Sequence, residues 1–189
     1  MPDRRLLTLP NLLTGYRFAV VPFLILFLYP GAGPWMGLIA FVLFLSGALT
    51  DLADGYFARK QQSETVLGKL IDPLADKVLV AAALILLIPM QLVPAWIAFV
   101  IIARELMITG FRGVAADAGI VIGAGRLGKI KSVFQYIALC VLIFPAGLLP
   151  LPFLHDLGRL ILLVSMILTV WSGVDYFVRF RKLYLPAAA

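Results

Sequence analysis

An all-α fold, a polytopic membrane bundle of six transmembrane helices, is what three features of this sequence predict. The chain is 62% apolar and 14% charged over 189 residues, with a mean hydropathy of +1.03, far too hydrophobic for an ordinary soluble domain. The apolar residues gather into six stretches approaching the roughly 20 residues that a helix needs to cross a bilayer. Between the stretches, short proline-bearing breaks alternate with clusters of cations.

The first stretch, Thr14–Tyr29, follows a short segment of about residues 1–13 that carries Arg4 and Arg5 and reads as interfacial. Basic residues before an apolar run can mark a removable signal peptide, but no small-residue cleavage site follows, so the helix is expected to be retained. Pro30 to Pro34 closes it, since proline interrupts helical hydrogen bonding. The second stretch, Trp35–Phe57, leads into Arg59 and Lys60, and the third, Pro73–Ile88, stops at the break Pro89 to Pro94. The fourth, Leu92–Phe111, runs into a basic, glycine-bearing connection from Arg112 to Lys131. The fifth, Val133–Leu149, ends at Pro150 and Pro152, and the sixth, Leu157–Val178, ends at Arg179, Arg181 and Lys182 before a short Ala-rich end. With no long repeat or low-complexity tract, residues 1–189 read as one helical domain.

Apart from Arg159, the Lys and Arg residues lie at the termini, on the second and fourth connections or, as with Arg17, Lys77 and Arg104, within the apolar stretches toward those same ends. Cations concentrate on cytoplasmic flanks, which puts these regions in the cytoplasm and the three proline-bearing connections on the far side. The net charge of +6 at pH 7 suits an anionic leaflet. Nucleic acid is not expected as a partner, because the charges are spread over helix ends without interleaved aromatics. Cys140 is the only cysteine, which excludes an intrachain disulfide or a cysteine metal site. His155, in the far-side Pro-rich loop, is assigned no chemistry.

The chemically informative segment runs from Asp51 to Lys77, DLADGYFARKQQSETVLGKLIDPLADK. Asp51 and Asp54 stand three apart on the second helix, and Asp72 and Asp76 four apart at the start of the third, so each pair shares a helix face. Acids at the ends of apolar helices are costly. Four of them converging would repel and raise one another's pKa values unless a cation compensated them. Oxygen ligands without His or Cys favour a hard ion such as Mg²⁺, which commonly combines a few carboxylates with substrate phosphate. The plainer reading is four solvated helix-end acids, with Asp72 as a cap before Pro73.

Gly55 and Ala58 lie four and seven residues after Asp51, leaving that helix face nearly bare, so that a flat ligand could approach. Glycine there weakens the helix by about 1 kcal/mol relative to Ala, which either a ligand contact or close packing would explain. Arg59 could grip a phosphate oxygen in a bidentate way or snorkel to the interface.

Together Asp51, Asp54, Gly55, Ala58, Arg59, Gly68, Asp72 and Asp76 reproduce the pattern D-x2-D-G-x2-A-R-x8-G-x3-D-x3-D. In this the chain resembles the CDP-alcohol phosphatidyltransferases, membrane enzymes of six transmembrane helices with a cytoplasm-facing active-site cavity. The resemblance implies displacement of CMP from a CDP-linked lipid by an acceptor alcohol, with two divalent ions, Mg²⁺ or Mn²⁺. It implies that Asp51, Asp54, Asp72 and Asp76 bind metal, and that Asp76 is also the catalytic base. Contacts to CDP-diacylglycerol fall to Asn11, Thr14, Asp51, Gly55, Ala58, Arg59, Thr65 and Gly68, with Asn11 and Thr14 in a matching NLLT stretch. A homodimer in a bacterial inner membrane, among membrane lipids, is also expected.

The acceptor is addressed by the stretches ARELMITGFR and GRLGKIKS. Their cations read either as a positive-inside flank or as ligands for an anionic acceptor. The stretches resemble those of the phosphatidylglycerophosphate synthases within the family, which implies glycerol 3-phosphate and makes Arg112, Lys129 and Lys131 candidates for its phosphate. Glu105 reads as a partner for one of these cations. Gly123, Gly125, Gly128 and Lys129 mimic a phosphate-binding loop, but no strand precedes them and Ile130 stands where Ser or Thr is needed; they read as a loop before the fifth helix. Alternatives are another acceptor (phosphatidylglycerol, inositol phosphate or serine), a cation transporter, and a noncatalytic adaptor. Clustering of the carboxylates at one surface, with no inverted repeat, argues against transport.

Overall fold

The computed structural model describes residues 9–57, 66–117, 126–149 and 151–184, and within them the chain forms six α-helices and no strand. These are α1 (Leu9–Phe27), α2 (Pro34–Phe57), α3 (Val66–Leu87), α4 (Ala95–Asp117), α5 (Arg126–Ile143) and α6 (Leu154–Tyr184). The proline-bearing connections fall where the sequence places them. One contains a left-handed turn at Gln91, φ 58°, whose carbonyl accepts a 2.9 Å hydrogen bond from Arg159 Nη2. Arg159 also pairs with Asp156 at 2.8 Å, so the one cation outside the basic clusters fastens the start of α6 to the α3–α4 turn.

The helices outrun the apolar stretches that announced them, chiefly at the cationic end. Helix α3 opens at Val66 rather than Pro73, because Val66, Leu67, Leu70, Ile71 and Leu74 already follow helical spacing and Pro73 is absorbed into the helix. Asp72 therefore sits six residues inside α3 and is no helix cap. Helix α5 likewise opens at Arg126 rather than Val133, which makes Gly128, Lys129 and Lys131 helical and corrects their reading as loop; Gly123 and Gly125 lie outside the described residues.

Pairwise contacts fix the sense of each helix. Phe111 of α4 meets Phe177 and Phe180 of α6 and Arg104 meets Ser172, so α4 and α6 run parallel. The positions 142 with 158, and 144 with 155, show α5 and α6 antiparallel. Phe41 packs on Phe144 and Phe44 on Tyr136, so α2 opposes α5. Consequently the end of α2, the start of α3, the end of α4, the start of α5 and the end of α6 meet at one end of the bundle, the end bearing the cations.

The core holds Leu24 of α1 and Leu28 just beyond its end, Phe44 of α2, Leu79, Leu84 and Leu87 of α3, Ile101 of α4, Leu139 and Leu142 of α5, and Leu162 of α6, each at most 1% exposed. The outside is also apolar: Phe99 is 72% exposed, Trp35 70% and Trp171 66%. Several polar groups are instead inside, among them Thr14, Arg17, Arg104, Lys131, Gln135, Ser165, Thr169 and Ser172. A continuous apolar exterior around a partly polar interior suits a hydrocarbon surround. Among the described residues one stretch, Leu154–Arg181 of α6, is both long and apolar enough to cross a membrane, while Leu12–Phe27, Pro34–Thr50 and Lys77–Leu87 are shorter apolar runs.

Gly158 brings α6 against α5. A Cβ there would meet the Cγ and Cδ2 atoms of Leu142 at 2.8 Å and Val141 Cγ1 at 3.1 Å, and Leu142 is 1% exposed with little room to retreat. Gly158→Ala is expected to cost about 1–3 kcal/mol by overpacking and to lower the thermal midpoint of the detergent-solubilised protein. Gly147→Ala, where a Cβ meets nothing within 4 Å, serves as the control and should leave the midpoint in place.

Candidate active site

The antiparallel α2–α3 hairpin carries both aspartate pairs toward the cationic end. Asp51 and Asp54 lie six and three residues before the end of α2, about 9 and 5 Å of helix rise. Asp72 and Asp76 lie six and ten residues after the start of α3, about 9 and 15 Å in. The two helices thus set the pairs on adjoining ends, an all-oxygen donor set of the kind a hard divalent ion takes. The side chains of these four aspartates lie outside the described ones, among which no cluster of three or more metal-ligating groups occurs.

A cavity of about 210 Å³ opens between α3, α4 and α5, and its α3 wall includes Leu74 and Lys77, residues on either side of Asp76. Leu74, Val78, Ile101 and Leu106 make much of the wall apolar, while Lys77, Glu105, Lys131 and Gln135 supply polar groups. Such a mixed lining can hold a molecule with a greasy part and a charged part.

Behind the polar groups lies a connected network. Glu105 Oε1 accepts hydrogen bonds from Arg104 Nη1 at 3.1 Å and from Lys131 Nζ. Arg104 Nη2 donates to Ser172 Oγ at 2.8 Å, and the Ser172 hydroxyl in turn donates to the Thr169 carbonyl at 3.0 Å. One turn further on, Ser165 donates to the backbone carbonyl of Lys131 at 3.2 Å. Ser165, Thr169, Ser172 and Tyr176 recur at spacings of four, three and four, one polar stripe of α6 turned to α4 and α5. Gly173 lets Arg104 lie close: a Cβ there would come within 3.2 Å of Arg104 Cγ.

A second, smaller pocket lies between α4, α5 and α6, lined by Arg104, Arg112, Ser172, Tyr176 and Arg179 among others. The Arg112 guanidinium sits over the Tyr176 ring, 5.6 Å from its centroid, within cation–π range. Arg179 Nη2 pairs with Asp175 at 2.9 Å. The hydroxyl of Tyr176 and Nε of Arg104 are buried and have no hydrogen-bond partner among the described residues.

The structure separates the cations that the sequence grouped. Lys131 faces the α3–α4–α5 cavity, Arg112 faces the α4–α5–α6 pocket, and Lys129 is exposed. Thr14 is buried at 3% exposure. Asn11, Gly55 and Gly68 lie on helices, but their side-chain positions are outside the described ones, and Ala58, Arg59 and Thr65 are outside the described residues altogether. Gln135, Ser172 and Tyr176 were missed as lining residues. The signal for them was present: a glutamine in an otherwise apolar helix, and a hydroxyl stripe at helical spacing.

Comparison with known proteins shows what the sequence is similar to. The sequence model of the family described as CDP-alcohol phosphatidyltransferase matches residues 7–171. The CDP-diacylglycerol–glycerol-3-phosphate 3-phosphatidyltransferase of Bacillus subtilis is 43% identical over 183 residues, covering 89% of this chain and 93% of that protein. The protein of the same name from Rickettsia bellii is 34% identical over 176 residues, 93% of this chain and 97% of its own. A CMP-forming cardiolipin synthase from Oryza sativa is 36% identical over 200 residues, 97% of this chain and 60% of that protein.

The Arg104–Ser172 bond is a buried polar link between α4 and α6. Ser172→Ala removes the acceptor and leaves a buried guanidinium N–H behind, at an expected cost of about 1.5–3 kcal/mol for a hydrogen bond to a charged group. Thermal unfolding in detergent checks it, with Thr109→Ala as comparison, since Thr109 Oγ1 bonds only within its own helix, to the Glu105 carbonyl.

Proposed function

The chain belongs to the CDP-alcohol phosphatidyltransferase family, and from that premise we propose that it transfers the phosphatidyl group of CDP-diacylglycerol to sn-glycerol 3-phosphate. The products are phosphatidylglycerophosphate and CMP. The observation that carries this reading is the cavity beside Asp76, apolar along Leu74, Val78 and Ile101 and cationic at Lys77 and Lys131. A lipid-linked nucleotide and a small anion are the pair of substrates that such a lining accommodates. The names of the bacterial relatives point the same way.

On this reading the six helices span the membrane, with the cationic end in the cytoplasm. CDP-diacylglycerol enters laterally from the bilayer, and glycerol 3-phosphate arrives from the water. Asp51, Asp54, Asp72 and Asp76 would hold Mg²⁺ or Mn²⁺. When bound, the ions neutralise the pyrophosphate and make CMP a better leaving group. The bare face at Gly55 and Ala58 admits the nucleotide, and Arg59 takes a phosphate oxygen. Lys131 binds the acceptor phosphate from the cavity wall, with Arg112 adding positive charge from the neighbouring pocket.

The reaction forms a bond from the acceptor hydroxyl oxygen to the lipid's phosphorus and breaks the bond from that phosphorus to the CMP oxygen. The hydroxyl proton passes to Asp76. A carboxylate is a weak base for an alcohol, so proton transfer falls late, once the attacking oxygen is already losing electron density.

A second acceptor, phosphatidylglycerol, is favoured by the similarity to the plant cardiolipin synthase. The decisive assay is CMP release from CDP-diacylglycerol by purified protein with Mg²⁺ and each acceptor in turn. Glycerol 3-phosphate is expected to support release and phosphatidylglycerol is not; the reverse result would transfer the function to cardiolipin synthesis. Asp76→Asn should lower kcat by about 10²–10⁴-fold, the usual worth of a positioned base. Chelation with EDTA should abolish release and added Mg²⁺ restore it.

A further inference from the structure

Glu105 has no part in the signature of eight residues, yet it lines the cavity that the proposed function gives to the acceptor. It lines the same cavity as Lys131, and a single carboxylate oxygen receives both Lys131 and Arg104. Arg104 is itself anchored on α6 through Ser172. The Glu105 carboxylate is therefore held from α4 and α6, and it reaches across to α5 to hold the Lys131 ammonium. The α5 backbone at the same residue is fixed from α6 by Ser165.

We infer that Glu105 is a positioning residue that sets affinity for the acceptor phosphate by fixing the ammonium of Lys131 at the polar wall of the cavity. A lysine side chain has four rotatable bonds and a point-like charge with no directional fork. Left alone, it spreads its charge over many positions. Paired with a rigidly held carboxylate, its ammonium is confined to a defined position at the cavity wall. Arg104 keeps the glutamate in place, so that the carboxylate serves as a fixed post and does not follow the lysine. The effect is expected on the anionic acceptor, because the cation that Glu105 holds at the cavity wall is Lys131.

The inference rests on the reading of glycerol 3-phosphate as acceptor and Lys131 as its phosphate ligand, and a double-mutant cycle separates the two. Kinetics of CMP release would be measured for wild type, Glu105→Gln, Lys131→Gln and the double variant, varying each substrate in turn. Glu105→Gln keeps the side chain's size, and it is expected to raise the KM for glycerol 3-phosphate about 10-fold, within the range of coupling between contacting residues. Its kcat and its KM for CDP-diacylglycerol should stay within about 2-fold of wild type. In the Lys131→Gln background the same substitution should add nothing further. An equal effect in both backgrounds, or a parallel rise in KM for both substrates, would show that Glu105 acts only through the fold and would overturn the inference. If Lys131→Gln leaves the glycerol 3-phosphate KM unchanged, the acceptor assignment itself is wrong and the inference goes with it. Should Lys131→Gln not accumulate, Lys131→Met takes its place in the cycle.

Discussion

Charge inside an apolar bundle has to be compensated locally, and most of what is distinctive in this structure follows from that constraint. Arg17, Arg104 and Lys131 are almost wholly buried, in a protein whose outward surface is rich in Phe, Trp, Leu and Val. An ammonium or guanidinium stripped of water is costly unless paired, and removal of one partner from a buried pair commonly costs 3–5 kcal/mol. Glu105 meets that demand for two cations through one oxygen. The hydroxyl stripe of α6 then supplies neutral partners for the remaining groups, Ser172 to Arg104 and Ser165 to the Lys131 backbone.

The same network dictates how the helices lie. Helices surrounded by hydrocarbon gain little from burying leucine against leucine, so small residues and interhelical hydrogen bonds set their packing. The α4–α6 and α5–α6 interfaces carry both: Gly158 against Leu142, Gly173 against Arg104, and the two serine bonds. Helix α6, at 31 residues the longest, is thereby the backing against which α4 and α5 are braced. The cavity forms on the other side of α4 and α5, where they diverge from α3. Its polar groups are held from behind, which is how a site between helices stays rigid while open to ligand.

Apolar runs, proline-bearing breaks and the alternation of charged and uncharged connections made the six helices and their order legible in the sequence. The signature between Asp51 and Asp76 made the family legible, because an acid at the end of an apolar helix has few structural explanations. The starts of α3 and α5 differ from the sequence reading, because the apolar span of a helix can end before its hydrogen bonding does. Val66–Asp72 and Arg126–Ser132 continue as helix while their composition turns polar. The division of the cations was equally illegible. Arg112, Lys129 and Lys131 are close in sequence properties, and only the rotation of α4 and α5 about their axes sends Lys131 to one cavity, Arg112 to another and Lys129 outward.

That division bears on how two unlike substrates can meet. On the proposed reading, the lipid must reach the α2–α3 aspartates from the side and the acceptor must reach them from the end of the bundle, without either route blocking the other. The α3–α4–α5 cavity satisfies this by being apolar along one wall and cationic along another. Were Lys131 to extend unpaired, its charge would lie where acyl chains pass, and the desolvation cost would fall on the lipid. Tied to Glu105, the same charge stays at the wall as part of a partly compensated cluster of two cations and one carboxylate, presented to an incoming phosphate and held away from the chains. The buried carboxylate thus lets a single cavity favour an anion at one position and hydrocarbon a few ångströms away.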